Sequence, residues 1–144
     1  MIAGVAALML AASPCDARGA RGTVARFVRA YDAGDLRTLD RLFSVDEFVW
    51  YSSNRPGLRV GAAASERTTL VSYFRRRHTA HDRLELLTLR YNGASNGLGN
   101  VAFTLRRRAD DYRAGSSFRL SGKGAVSCTD GRIAVLSLGG PGSA

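Results

Sequence analysis

The residue best placed for acid–base chemistry in this sequence is His78. It follows Phe74 by four residues and Val71 by seven, a spacing that places all three on one face of a predicted helix. That face is apolar, so we expect the imidazole to point towards the protein interior. Because a neutral imidazole is an effective general base near pH 7, His78 is the predicted catalytic residue if the chain is an enzyme. The alternative is a packed or hydrogen-bonded histidine without a catalytic role.

A metal site is the second chemistry that these residues suggest. His78 and His81 are three residues apart, which would bring them to one face of a helix. Zinc sites need three or four ligands, and the adjacent Asp82 is expected to face away. We therefore predict no metal and no other cofactor. The sequence also lacks the glycine-rich loops that bind nucleotides and the Gly-x-Ser-x-Gly nucleophile elbow.

Aromatic side chains recur at inward-facing positions of the predicted helices and strands. Rings at such positions either fill a hydrophobic core or line a ligand pocket, and both alternatives stay open. We predict a pocket lined by seven aromatic residues, which are Phe27, Tyr31, Trp50, Tyr73, Phe74, Phe103 and Phe118.

The charge of the chain raises the question of an anionic partner. Its 144 residues include 21 Lys and Arg against 12 Asp and Glu, a formal net charge of +9. Two runs, Arg75–Arg77 and Arg106–Arg108, could bind phosphates by charge. In a strand, however, Arg107 faces opposite to its two neighbours, and three successive residues spread around a helix, so neither run forms a stripe by itself. We expect no nucleic-acid partner, while an anionic surface or polymer stays open.

Residues 1–17 differ from the rest of the chain because they contain no Lys or Arg. The stretch from Ile2 to Ala12 is too short for a membrane-spanning helix of about 20 residues, but it has the length of a signal-peptide core. We predict a signal peptide over residues 1–17, cut after Ala17, and a protein that is secreted or periplasmic. The alternatives are an uncleaved segment that holds the protein at a membrane and a buried N-terminal helix or strand.

The two cysteines, Cys15 and Cys128, exclude a disulfide-rich scaffold and a four-cysteine zinc site. If residues 1–17 are removed, Cys128 is the only cysteine and is expected to be a small buried side chain. If they are retained, a disulfide requires the two positions to lie close together, which the sequence does not decide.

Hydrophobic periodicity defines the helices that would position these residues. After a predicted linker at 18–22, a first helix carries one apolar stripe, and Gly34 interrupts it. Asp35 can cap a second, short helix, and Ser65 can cap a third. The stripe of the first helix consists of Val24, Phe27, Val28 and Tyr31.

Strand patterns occupy most of the remaining sequence. Phe48–Tyr51 predicts a first strand, and after His81 the alternation of apolar and polar residues predicts an antiparallel meander of four strands, with a loop at 92–100. Asp130-Gly131 predicts the last tight hairpin, and residues 140–144 form a tail.

This order of elements predicts the α+β class. N-terminal helices would pack on a strongly curved antiparallel sheet that forms a cone-shaped half-barrel. Gly122 and Gly124, inside the penultimate strand, are expected to mark a bulge or bend that permits the curvature.

The segment Val24–Phe43 resembles the opening of nuclear transport factor 2-like, SnoaL-like domains, which have a cystatin-like α+β fold. It has their amphipathic helix, an Ala33-Gly34-Asp35 break and a Leu42-Phe43 end before the first strand. Asp130–Ile133 resembles their closing hairpin, so that the resemblance covers residues 23–139. It implies a cone-shaped domain with an apolar pocket, often assembled as a dimer through the sheet.

The resemblance does not imply one activity, because the family contains isomerases, cyclases, dehydratases, epoxide hydrolases and non-catalytic binding domains. Its ketosteroid isomerases use a tyrosine and two aspartates. The corresponding positions here are Phe27, Tyr51 and either Lys123 or Gly124, so none of these roles is filled.

We therefore predict a small exported domain over residues 23–139 with a pocket for a small, mostly apolar ligand. One alternative is an enzyme of the same fold, a cyclase, isomerase or dehydratase that uses His78. The other is a basic surface module that binds an anionic polymer.

Overall fold

The computed structural model describes residues 13–53, 60–112 and 116–139. This part of the chain forms three helices, α1 (Ala17–Ala33), α2 (Leu36–Leu42) and α3 (Arg67–Thr79). Its six strands are β1 (Val49–Ser53), β2 (Val60–Ala64), β3 (Arg83–Ser95), β4 (Leu98–Arg108), β5 (Phe118–Ser127) and β6 (Ile133–Leu138). None of these three helices is long and apolar enough to cross a membrane. The predicted tail at 140–144 lies outside the described residues.

The first helix begins earlier than hydrophobic periodicity predicts. Asp16 caps α1, because its Oδ1 accepts a hydrogen bond from the Gly19 amide at 2.7 Å. Ala20 is fully buried, so residues 18–22 form the first turns of α1 and not a linker. Gly34 ends the helix with a φ of 66°, a left-handed conformation that favours glycine.

The strands form one open sheet in the order β2-β1-β6-β5-β4-β3. Strands β3 to β6 pair in antiparallel fashion, which confirms the predicted meander. β1 pairs antiparallel with β2 and parallel with β6, so the whole sheet is mixed. Alternation does not predict β2, because its sequence is mostly glycine and alanine. The helices pack on this sheet, which confirms the α+β class.

Two details of the meander differ from expectation. Residues 92–100, predicted as a loop, belong mostly to β3 and β4, and only Asn96-Gly97 forms the turn between them. β5 pairs with both neighbours without a register shift at Gly122 or Gly124, so neither glycine marks a bulge, while the expected bend stays a prediction. A Cβ atom at Gly122 would lie 2.2 Å from a ring carbon of Phe103 on β4, so close cross-strand packing requires glycine at this position.

The alternation along β4 separates the two faces of the sheet. We call the helix-covered side the inner face, and α1 packs there against β3 and β4. The buried residues of β4 on the inner face are Gly99, Val101, Phe103, Leu105 and Arg107. The outer face of β4 carries Asn100, Ala102, Thr104, Arg106 and Arg108.

A cluster of aromatic rings fills the space between the helices and the inner face. The Trp50 ring lies 5.6 Å from Phe27, 5.6 Å from Tyr73 and 5.2 Å from Phe74, measured between ring centroids. Phe43, which follows α2, lies 6.1 Å from Phe27 and 5.8 Å from Phe74. Tilted and edge-on contacts of this kind are favourable, so the rings join α1, α2, α3 and β1 in one core.

A disulfide joins Cys15 to Cys128, which are 113 residues apart in sequence. The Tyr91 hydroxyl of β3 also donates a hydrogen bond to the backbone oxygen of Cys15 at 3.0 Å. The segment before α1 is therefore attached to the sheet. A cut after Ala17 would remove both this bond and the Asp16 cap. Residues 1–12 lie outside the described residues, and the predicted cut stays a prediction.

Replacing Cys15 with serine should lower the free energy of unfolding by about 2–4 kcal/mol, because the disulfide restricts the unfolded chain. Urea unfolding without reductant measures this change. Cys128→Ser and the double variant with serine at both positions should lower the free energy of unfolding by the same amount, since all three variants lack the disulfide. Full stability of either single variant would contradict a stabilising role for the disulfide.

Candidate functional site

An arginine of β4 lies in the protein interior. Arg107 continues the inward series of Phe103 and Leu105, and its side chain is 0% exposed. A buried guanidinium is costly unless its N–H groups are hydrogen-bonded and its charge is balanced. Side chains from other parts of the fold meet this requirement, and together with Arg107 and with Arg77, which bonds Asp82, we call them the buried polar cluster. Its members are Tyr31, Ser52, Tyr73, Arg77, Asp82 and Arg107.

Among the described residues, Arg107 donates hydrogen bonds to the side chains of Asp82, Ser52, Tyr73 and Tyr31. Its Nη2 lies 2.6 Å from Asp82 Oδ2, and its Nε lies 3.1 Å from Asp82 Oδ1. Nη1 donates to Ser52 Oγ at 2.7 Å. Nη2 also donates to the hydroxyls of Tyr73 at 3.1 Å and Tyr31 at 3.3 Å. One guanidinium thus joins β4 to α1, α3 and β1.

Asp82 is the carboxylate that balances this charge. It lies in the short connection between α3 and β3, where His81 has a φ of 51°. Besides Arg107, its Oδ2 accepts hydrogen bonds from Tyr31 at 2.8 Å and from Arg77 Nε at 2.6 Å. The Asp82 side chain is 0% exposed, so two buried guanidinium contacts and a phenol replace its water shell.

A second ion pair extends the cluster to the surface. Arg77 donates from Nη1 and Nη2 to Asp111, at 2.6 and 2.9 Å, in a bidentate pair. The Tyr112 ring faces both guanidiniums, with its centroid 5.1 Å from Arg77 Cζ and 5.7 Å from Arg107 Cζ. The two arginines and two aspartates together carry no net formal charge.

Burial and charge set the protonation states in this region. Burial raises the pKa of Tyr31 well above its usual value, and it raises the pKa of Tyr112 to about 12. Both phenols are therefore neutral at pH 7. Burial by itself would lower the pKa of Arg107, but the hydrogen bonds to Asp82 and nearby groups raise it above the usual value. Within the cluster, Tyr31 is therefore a neutral donor and Arg107 is a charged donor at physiological pH.

The cluster is closed to other molecules in this arrangement. Both oxygens of Asp82 accept hydrogen bonds, and Ser52, Asp82 and Arg107 are 0% exposed. A polar group that already has hydrogen-bond partners and has no solvent-exposed surface is not accessible to a substrate. The cluster therefore positions helices and strands, and it does not form an open acid–base site.

The predicted base, His78, lies elsewhere. Its ring packs on Gly34, where an added Cβ would be 2.4 Å from the imidazole. Its buried Nδ1 has no hydrogen-bond partner among the described residues. His81 does not join it, because His81 Nδ1 lies 2.5 Å from Asp110 Oδ2 at the surface. In the described ranges no group of three His, Cys, Asp or Glu side chains could hold a metal ion. The catalytic role of His78 stays a prediction.

The structure brings most of the predicted pocket residues together as packed rings. Phe27, Tyr31, Trp50, Tyr73 and Phe74 all belong to the buried core. Phe103 covers Gly122, and Phe118 packs on Tyr112 with 5.3 Å between the ring centroids. Their role in binding a ligand stays a prediction.

A cleft of about 970 Å³ opens at the start of β3, at the end of β4 and just before β5. Its wall combines apolar Leu84 and Ala109 with charged groups. The charged residues of the lining are Asp32, His81, Arg83, Glu85, Arg106, Arg108 and Asp110. We call this site the cleft.

Asp32 connects α1 to the edge of the sheet inside the cleft. Its Oδ1 accepts a hydrogen bond from the Leu84 amide at 2.8 Å, which satisfies a donor of the edge strand β3. Burial raises the pKa of Asp32, while the Leu84 hydrogen bond and the charge of Arg83 act against this rise.

Sequence reasoning missed the buried polar cluster and the cleft. The alternation of β4 already indicated that Arg107 faces inward, next to Leu105 and Phe103. No comparable pattern points to Asp111 or to Asp82, which the sequence analysis expects to face away. Both aspartates lie in connections, where periodicity carries no information about orientation.

No protein-family model and no curated protein matches the sequence. Solved structures do match. The orange carotenoid protein of Anabaena (Nostoc) sp. PCC 7120, bound to canthaxanthin, has a TM-score of 0.68 at 15% identity, over 83% of this chain and 35% of that chain. Bal32a, from a soil-derived mobile gene cassette, has a TM-score of 0.59 at 22% identity, over 82% and 86% of the two chains. A Xanthomonas campestris protein proposed to be a polyketide cyclase has a TM-score of 0.56 at 17% identity, over 82% and 87%.

These likenesses show the fold and not the activity. The chain has the nuclear transport factor 2-like, SnoaL-like fold, which confirms the resemblance carried by Val24–Phe43. It spans about a third of the length of the orange carotenoid proteins that it matches.

Replacing Asp82 with asparagine should lower the free energy of unfolding by about 3–5 kcal/mol, because it leaves buried guanidinium charge without a counterion. Urea unfolding at pH 7 measures the loss. Arg106→Ala is the matched control, since Arg106 is the outward-facing neighbour of Arg107 and should change stability by no more than about 0.5 kcal/mol. Equal effects of the two substitutions would contradict a special role for the buried pair.

The Arg77–Asp111 ion pair should stabilise the folded protein at neutral pH and lose this effect at strongly acidic pH. The hydrogen bond from Arg77 lowers the pKa of Asp111, so the unfolded chain binds a proton there more readily than the folded chain. The contribution is complete above the unfolded pKa of about 3.9 and disappears as pH falls through the lower folded pKa. Asp111→Asn should flatten the decline of stability between about pH 5 and pH 2 in thermal melts. An unchanged slope would contradict this assignment.

Proposed function

We propose that this chain is an exported small-molecule-binding domain and that its ligand is a mostly apolar molecule with one anionic group. The observation that supports this function best is the cleft. Ligand pockets have volumes of about 300–1,000 Å³, and the cleft, at about 970 Å³, lies at the upper end of this range.

The polar part of the proposed ligand follows from Arg83 and Arg108. These residues are direct cross-strand partners on β3 and β4, so two like charges face each other in the cleft wall. Arg83 donates to the backbone oxygen of Asp82 at 3.2 Å, and neither guanidinium forms an ion pair with a carboxylate of the described residues. An anionic group between them would relieve the repulsion and accept charge-assisted hydrogen bonds.

The apolar part of the proposed ligand has two supports. Ala109 contributes apolar surface to the cleft beside the two arginines, and the buried Leu84 lies behind it in the wall. The second support is that the orange carotenoid protein, about a third of whose length matches this chain, was solved with canthaxanthin.

Export is part of the proposal because of the cysteines. Stable disulfides form in oxidising compartments, and Cys15 and Cys128 are paired here. The apolar stretch from Ile2 to Ala12 also supports export. Because the disulfide needs Cys15, the proposal takes the alternative in which the chain is not cut after Ala17.

Catalysis by His78 is not included in this proposal. Its ring packs on Gly34 and is not part of the cleft lining. The enzyme alternative therefore stays a prediction from helix spacing.

The proposal is tested with two fluorescent probes that share the pyrene and chain length and differ in their end group, which is an anionic carboxylate in 1-pyrenebutanoate and a neutral hydroxyl in 1-pyrenebutanol. Arg108→Gln and Arg83→Gln should each weaken pyrenebutanoate binding by about tenfold, because each removes one charged hydrogen-bond donor. Binding of the uncharged alcohol should change little. Fluorescence titration measures both affinities.

Arg75→Gln provides the control, because Arg75 is an exposed arginine of α3 outside the cleft lining. It should leave both affinities unchanged. Pyrenebutanoate affinity that is insensitive to both cleft variants would overturn the proposed site and would point to the aromatic core instead.

A further inference from the structure

The outer face of β3, β4 and β5 brings together basic residues that are dispersed in the sequence. Cross-strand partners share a face, and here Arg83 lies opposite Arg108, Arg106 opposite Arg119, and Lys123 opposite Ala102. Glu85 is the only carboxylate in these three strands. We call this surface the basic face. Its cationic residues are Arg83, Arg90, Arg106, Arg108, Arg119 and Lys123.

The basic face concentrates charge that its own residues do not neutralise. Glu85 lies 3.0 Å from Arg106, which is the only ion pair among the described side chains of the face. Arg119 lies directly across from that same arginine, and like charges in opposite positions are unfavourable. A bound polyanion would remove this repulsion.

The cations are arranged in an elongated patch. They extend from Arg108 to the level of Ala102 along β4, about 20 Å, and across three strands, about 10 Å. A row of hydroxyls crosses the middle of the patch, where Thr88 lies opposite Thr104 and Thr104 lies opposite Ser121. Charged donors on both sides of a hydroxyl row suit a linear chain that carries repeated anionic groups and hydroxyls.

We propose that the basic face binds a linear anionic polysaccharide. This goes beyond the small-ligand function, because Arg90, Arg119 and Lys123 are not part of the cleft lining. The face offers no ring for nucleic-acid bases, since the aromatic residues of these strands, Tyr91, Phe103 and Phe118, alternate to the opposite side.

Two other occupants fit the face less well. A membrane surface favours apolar side chains beside the cations, but the large exposed apolar side chains among the described residues are Val45 and Tyr51, outside β3, β4 and β5. A second copy of the basic face would place like charges against each other. The predicted dimer through the sheet therefore has no charge complementarity here.

The test measures binding of a heparin dodecasaccharide by calorimetry as a function of salt. The triple variant Arg90→Gln, Arg119→Gln, Lys123→Gln should bind at least tenfold more weakly. Its salt slope should fall by about three, close to one per cation removed. Its affinity for 1-pyrenebutanoate should not change, so failure of this inference and failure of the proposed function are distinguishable.

The matched control is Arg29→Gln, Arg75→Gln, Arg76→Gln, which removes the same charge from exposed positions on α1 and α3. It should weaken heparin binding by less than twofold. Equal losses in the two triple variants would show that net charge alone matters and would overturn the inference. Tighter binding to a DNA duplex or to phosphatidylglycerol vesicles than to heparin at equal salt would overturn the choice of polymer. Thermal melts confirm that both variants are folded.

Discussion

A guanidinium in a protein interior must keep its N–H groups bonded and its charge balanced, and Arg107 imposes this condition on the packing of the fold. Its partners come from α1, β1, α3 and the connection before β3. Because the donors of a guanidinium have fixed directions in one plane, each partner must lie within a narrow range of positions. The placement of the helices on the sheet therefore depends on the Asp82–Arg107 ion pair.

The Asp82–Arg107 ion pair is itself buried, so other molecules can reach only the surface around it. The polar cluster and the aromatic rings occupy the inner face, and Asp82 has no exposed surface. The alternation that places Arg107 inside places Arg106 and Arg108 outside, where they line the cleft and the basic face. One run of three arginines thus supplies the interior with its cation and the surface with two exposed guanidiniums.

Much of the fold could be predicted from the sequence, because helix stripes and strand alternation report directly which side of an element is buried. The alternation of β4 also contains a signal that Arg107 faces inward, although our sequence analysis concludes only that Arg107 faces opposite to its two neighbours. The partner of Arg107 could not be found, since Asp82 is 25 residues away in a connection without periodicity. For His78, helix spacing predicted a buried side but not that Gly34 of another helix end would be its neighbour. Both contacts depend on how separate helices and strands pack against one another. The periodicity within one helix or strand carries no information about that packing.

The most direct measurement of the central claim is a double-mutant cycle on Asp82→Leu and Arg107→Met, followed by urea unfolding at pH 7. Each single variant leaves one charge buried without its partner, whereas the double variant leaves neither. The account predicts that the double variant is more stable than either single variant, with a coupling energy of at least about 2 kcal/mol. Additive losses, with the double variant the least stable of the three, would contradict it.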